Sequence, residues 1–124
     1  RRQGMAHILL AEDDVSMLNF LSMALARAGH TVTTRANGLA ALEALDSDVT
    51  YDLLLTDIVM PGMDGIELAQ QATKKRPDIK VMFITGFAAV AMGERNPERA
   101  NARVLSKPFH LNDLVEQIET LLAA

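Results

Sequence analysis

Three stretches of this chain are nearly continuous apolar runs of strand length: His7–Ala11, Asp52–Thr56 and Ile79–Ile84. Runs this short cannot make stable helices, and without polar alternation they cannot leave one face in water. They read as strands covered on both sides, which is the pattern of a parallel sheet. Parallel strands need long crossovers, and the intervening stretches supply them. Met17, Leu18, Leu21, Ala24, Leu25 and Ala28 recur at helical spacing before Gly29, a helix stop. Leu39–Leu45 and Ile66–Lys75 are shorter helical patterns, the latter closed by Pro77. Leu111, Leu114, Val115, Ile118, Leu121 and Leu122 mark one side of a C-terminal helix.

The β-branched Thr31–Thr34 reads as a second strand near a sheet edge, and Val104-Leu105-Ser106 as a weaker fifth. Alternation demands a fourth helix between Ala88 and Ala102. Gly93 and Asn96-Pro97 oppose a regular one, so a short helical piece over Ala88–Met92 and then an irregular loop are expected. The class is α/β, a doubly wound five-stranded parallel sheet with an irregular fourth helix.

The 124 residues are one domain's worth of sequence, so output is expected from this domain's own surface. Arg1-Arg2-Gln3-Gly4 precede the first Met and read as an expression remnant, which leaves residues 5–124 as the domain. Without those two arginines the net charge moves from −4 to −6. An acidic chain argues against nucleic acid as a partner. No run is long enough to span a membrane, and no signal-peptide pattern is present. The absence of Cys excludes disulfides and thiolate metal sites and suits a cytoplasmic setting.

In such a sheet function gathers at the carboxyl ends of the strands. Those ends carry Glu12-Asp13-Asp14, Asp57, Thr85 and Lys107. If strands one, three, four and five lie side by side, these side chains converge. Clustered carboxylates repel one another unless a cation relieves them. Oxygen-only ligands suit Mg2+, and Lys107 adds a second positive charge. Carboxylates can act as nucleophiles toward phosphorus. Phosphoryl transfer asks mostly for positioning and charge neutralisation. Asp57 is therefore the candidate phosphoacceptor, with Thr85 as a hydroxyl donor to a phosphoryl oxygen. Taken singly, each carboxylate would read as a solvated loop residue. Asp14 has a claim to be a helix N-terminal residue, and Asp64-Gly65 reads as turn chemistry. His7, His30 and His110 lack metal-site spacing and read as structural. Met60 and Met63 sit beside Asp57, where a partner could contact them. Arg95, Arg99 and Arg103 read as a solvated set.

The spacings carry a family resemblance. Asp57 lies 44 residues beyond Asp13, Thr85 lies 28 beyond Asp57, and Lys107-Pro108-Phe109 lies 22 beyond Thr85. With the string Asp57-Ile58-Val59-Met60-Pro61-Gly62-Met63-Asp64-Gly65, this resembles the CheY-like receiver domains of response regulators over Met5–Ala124. The resemblance implies the flavodoxin-like (βα)5 fold and phosphoryl transfer to Asp57 from a histidine kinase or histidine phosphotransferase. It implies Mg2+ ligated by Asp13, Asp57 and the Val59 carbonyl, with Glu12 bound through water. It also implies a cis Lys107–Pro108 peptide. The chain would then be a switch and not an enzyme, limited to Mg2+-dependent self-phosphorylation and dephosphorylation.

Two departures bear on the readout. The aromatic that often stands three residues before the Lys is Val104 here, and Phe87 is the candidate to replace it as the moving group. The broken fourth helix weakens the dimer face many receivers build there, so a monomer is expected. The strings Phe83–Ala91 and Leu105–Leu111 are also similar to a stand-alone receiver type. That likeness implies output through a protein partner in regulated proteolysis by AAA+ machinery. The terminal Ala123-Ala124 resembles tails that such proteases recognise. Two rival readings are a degenerate receiver that acts without phosphorylation and an Asp-nucleophile phosphatase. The phosphatase wants a second Asp two residues past the nucleophile, where this chain has Val59.

Overall fold

A computed structural model describes residues 6–86 and 102–123. Five strands form one sheet: β1 (His7–Ala11), β2 (Thr31–Arg35), β3 (Leu53–Asp57), β4 (Lys80–Thr85) and β5 (Ala102–Ser106). Their order is β2-β1-β3-β4-β5, and every pair is parallel. The described helices are α1 (Val15–Arg27), α2 (Gly38–Ala44), α3 (Gly65–Lys75) and the C-terminal α4 (Leu111–Ala123). The expected helical piece at Ala88–Met92, together with Phe87, Arg95, Arg99, Ala124 and residues 1–4, lies outside the described residues.

The unbroken apolar runs are explained by two cores. Leu9, Leu54, Val81 and Phe83 point to one face and pack with Ala41, Leu68, Ala69 and Ala72 of α2 and α3. Ile8, Leu10, Leu53, Leu55, Met82 and Ile84 point to the other and meet Leu18, Leu21, Leu25, Leu114 and Ile118 of α1 and α4. Because successive strand residues alternate faces, a central strand with helices on both sides is apolar through its middle, and the buried polar residues Thr56, Asp57 and Thr85 fall at the carboxyl ends. β2 lies at the edge and is mostly half-buried, which its threonines tolerate.

Local signals set the helix starts. Asp14, Asn37 and Asp64 are N-caps, whose side chains accept from the N–H groups of Met17 at 3.1 Å, Ala40 at 2.8 Å and Glu67 at 2.9 Å. Asp64 thus begins a helix, a more specific role than the expected turn. Gly29, with φ 99°, ends α1. Arg76 follows α3 and donates to the carbonyls of Leu45, Ser47 and Val49, which ties down the loop after α2. Two of the histidines have structural partners. His7 Nε2 lies 2.8 Å from Thr33 Oγ1, and buried His30 accepts from Ala6 N–H at 3.3 Å through Nδ1. No described helix is long and apolar enough to cross a membrane.

Candidate functional site

The chain leaves β1 for β2 on one side and returns to β3 on the other. Helices therefore depart in opposite directions from the ends of β1 and β3, and a crevice opens between them. Glu12 and Asp13 follow β1 directly, and Asp57 ends β3. Carboxylate oxygens of Glu12, Asp13 and Asp57 all lie within 4.8 Å of one another. Lys107, just past β5, reaches back over the crevice. Its Nζ sits 3.2 Å from Asp57 Oδ2 and 3.4 Å from Glu12 Oε1. The sheet order thus brings together four of the residues expected from the sequence.

Glu12 is fully buried and Asp57 almost so, while Asp13 is exposed. Glu12 is held from both ends. Its N–H donates to Arg35 O at 3.1 Å, and its Oε2 accepts from Asp14 N–H at 3.1 Å. Burial pushes its carboxyl up to about 7 and the Asp57 charge adds to this, against the opposing Asp14 N–H and Lys107. Burial pulls the Lys107 ammonium down, but its hydrogen bond and charge contact with Asp57, and then Glu12, leave it above its ordinary 10.5. Three carboxylates and one ammonium leave an excess of negative charge, made only of oxygen donors. That donor set fits a hard divalent cation such as Mg2+.

Thr85 ends β4 and is fully buried. Asp57 pairs with Ile84, so Thr85 stands one residue beyond Asp57 on the neighbouring strand. Its carbonyl accepts from Lys107 N–H at 2.7 Å, which anchors the start of the lysine loop. The Lys107–Pro108 peptide is cis. Val59 is half-exposed above the crevice, and its N–H donates to Asp57 Oδ1 at 3.3 Å. Val104 is half-buried and packs against the α2–α3 core, which leaves no aromatic at that position.

Sequence reading missed what the glycines do. Gly65 donates to Ile58 O at 2.8 Å, and a Cβ there would overlap the Asp57 carbonyl oxygen. Its signal was available: a Gly immediately after an N-cap Asp, at a place where a helix start meets the end of the strand that carries Asp57. The expectation for the loop methionines needs correction. Met60 is 6% exposed and belongs to the core, and Met63 is half-buried against it. Met60 is drawn into the core, whereas Met63 keeps part of its surface in solvent, where a partner could still meet it.

The response regulator receiver domain family matches residues 8–119. The chain is 58% identical over 120 residues to the response regulator receiver protein CpdR of Brucella abortus, covering 97% of this chain and 99% of that protein. It is 36% identical over 120 residues to the sensor kinase CckA of the same organism, covering 96% of this chain but 13% of that kinase. Among solved structures, a receiver protein from Sinorhizobium medicae superposes with a TM-score of 0.88 at 30% identity, covering 97% of this chain and 96% of that one. TrrA from Thermotoga maritima, in complex with Mg2+ and BeF, superposes with a TM-score of 0.80 at 29% identity, covering 94% and 99%.

Proposed function

Because this chain belongs to the response regulator receiver family, we propose that Asp57 is its phosphoacceptor and that its phosphorylation state is read by a protein partner. The observation that carries the reading is the convergence of Glu12, Asp13, Asp57 and Lys107 at the switch point of the sheet. An Asp57 oxygen attacks phosphorus, the bond from phosphorus to the donor's imidazole nitrogen breaks, and the departing imidazole retains the electron pair and takes up a proton. Lys107 Nζ neutralises charge beside Asp57, while the Thr85 hydroxyl donates to a phosphoryl oxygen. Asp13, Asp57 and the Val59 carbonyl would hold Mg2+, with Glu12 bound through water; the ion would neutralise charge developing on the phosphoryl oxygens.

The donor is a phosphohistidine on a kinase or phosphotransferase. Phosphorylation adds roughly −1.5 to −2 charges and three acceptor oxygens, enough to redraw Lys107 and the loops around it. The 58% identity to CpdR over nearly its whole length supports output through a protein partner, in regulated proteolysis with AAA+ machinery. A cytoplasmic monomer fits this role.

The test is incubation with Mg2+ and acetyl phosphate, followed by intact mass measurement. Wild type should gain one phosphoryl group and Asp57→Asn none. No gain in wild type would favour a degenerate receiver. Repeated turnover of many phosphate esters would favour a phosphatase.

A further inference from the structure

Two helices of the α2–α3 face begin with a buried glycine, and both glycines press on the loop that joins β3 to α3. Gly65 closes that loop against the Asp57 carbonyl. Gly38, the first residue of α2, meets its far side. A Cβ on Gly38 would lie 2.5 Å from the Met63 carbonyl oxygen, 3.0 Å from Met63 Cβ and 3.2 Å from Met63 Cγ. The nearest of these is backbone, so a side chain at Gly38 cannot be accommodated by rotating Met63 away. The loop itself must move. On its Asp57 side the loop is tied by Gly65, whose N–H donates to Ile58 O at 2.8 Å, so a displaced loop pulls on that closure. Between the two glycines the loop carries Val59, whose N–H donates to Asp57 Oδ1, and Gly62, which turns the chain at φ 75°.

Resting on the receiver reading above, we infer that Gly38 is a positioning residue for the phosphoacceptor site, acting through Met63. The bare first turn of α2 is the backstop that holds the β3–α3 loop over Asp57. This explains a choice that local preference opposes. Ala is favoured over Gly inside a helix, yet here the added methyl displaces the loop. By linkage, a change in loop position at a loaded Asp57 is also felt at Gly38 and Leu39, and Leu39 is 60% exposed.

The test compares Gly38→Ala with Ala40→Gly, which weakens α2 without adding an atom toward the loop. In metal-free protein, Gly38→Ala should speed amide hydrogen exchange at Val59 and Gly65 by about tenfold. It should also raise the Mg2+ concentration for half-saturation by about tenfold, since small misplacements of a site are costly. Ala40→Gly should change neither, whatever it does to thermal stability. Equal effects from the two variants, or a silent Gly38→Ala, overturn the inference. A second measurement needs no variant. Adding Mg2+ and beryllofluoride to wild type should shift the backbone amide resonances of Gly38 and Leu39 together with those of Val59 and Met63. Shifts at Val59 without any at Gly38 or Leu39 overturn the backstop. No shift anywhere in the loop would instead count against the receiver reading.

Discussion

Replacing Glu12 by Gln isolates the electrostatic cost of the metal-free site. Burial moves the Glu12 carboxyl from 4.5 to about 7. A pKa raised in the folded state means that the native protein holds a proton the unfolded chain has released. The stability tied to that proton is complete below 4.5 and is lost as pH rises through about 7. The full loss corresponds to about 3 kcal/mol. Most of it, about 2 kcal/mol, falls between pH ~5 and ~8. Gln cannot ionise, so the variant escapes the loss. It also gives up the charge contact with Lys107 at 3.4 Å, but that attraction is already contained in the Glu12 value of about 7 and does not alter the size of the swing. Urea unfolding in EDTA, followed by far-UV circular dichroism, should therefore show the variant gaining on wild type by about 2 kcal/mol across that window. Saturating Mg2+ should shrink the swing, because the cation binds the ionised carboxylate and stabilises wild type most at high pH. A variant-minus-wild-type difference that stays flat across the window, or that runs the other way, would refute the reasoning.

Gly65→Ala sets a Cβ into the Asp57 carbonyl, so unfolding free energy should fall by about 3 kcal/mol; retention of wild-type stability would mean that the contact relaxes freely. Arg76→Ala removes the hydrogen bonds to Leu45, Ser47 and Val49, which should cost about 2 kcal/mol in urea unfolding and leave acetyl-phosphate labelling of Asp57 unchanged. Lys107→Ala removes the ammonium 3.2 Å from Asp57, so labelling should slow by about a hundredfold while Mg2+ binding persists in a direct titration. Loss of Mg2+ binding in that variant would assign Lys107 a structural role instead.

Much of the fold could be read from periodicity, because a strand covered on both faces is apolar through its middle. His7–Ala11 and Leu53–Asp57 show that pattern directly, and edge strand β2 betrays itself by its threonines. Helix ends shifted by a residue where a cap outweighed the apolar spacing. Asn37 starts α2 at Gly38, not at Leu39, and Asp64 starts α3 at Gly65. The broken pattern beyond Phe87 falls outside the described residues, and so does its bearing on the readout.

Chemistry at Asp57 is thus legible in order and spacing: an acidic pair after one strand, an acceptor after another, a Thr and a Lys after two more. Their residue types already say that charge must be neutralised there. What only the tertiary structure decides is distance and burial. The sheet order puts residues far apart in the chain within a few ångströms, and burial then makes Glu12 costly to ionise while Asp13 stays in solvent. The same holds for Gly38, which as a sequence position is only part of a turn. Its role exists because α2 is packed so closely on the loop of another strand that a single methyl group has nowhere to go.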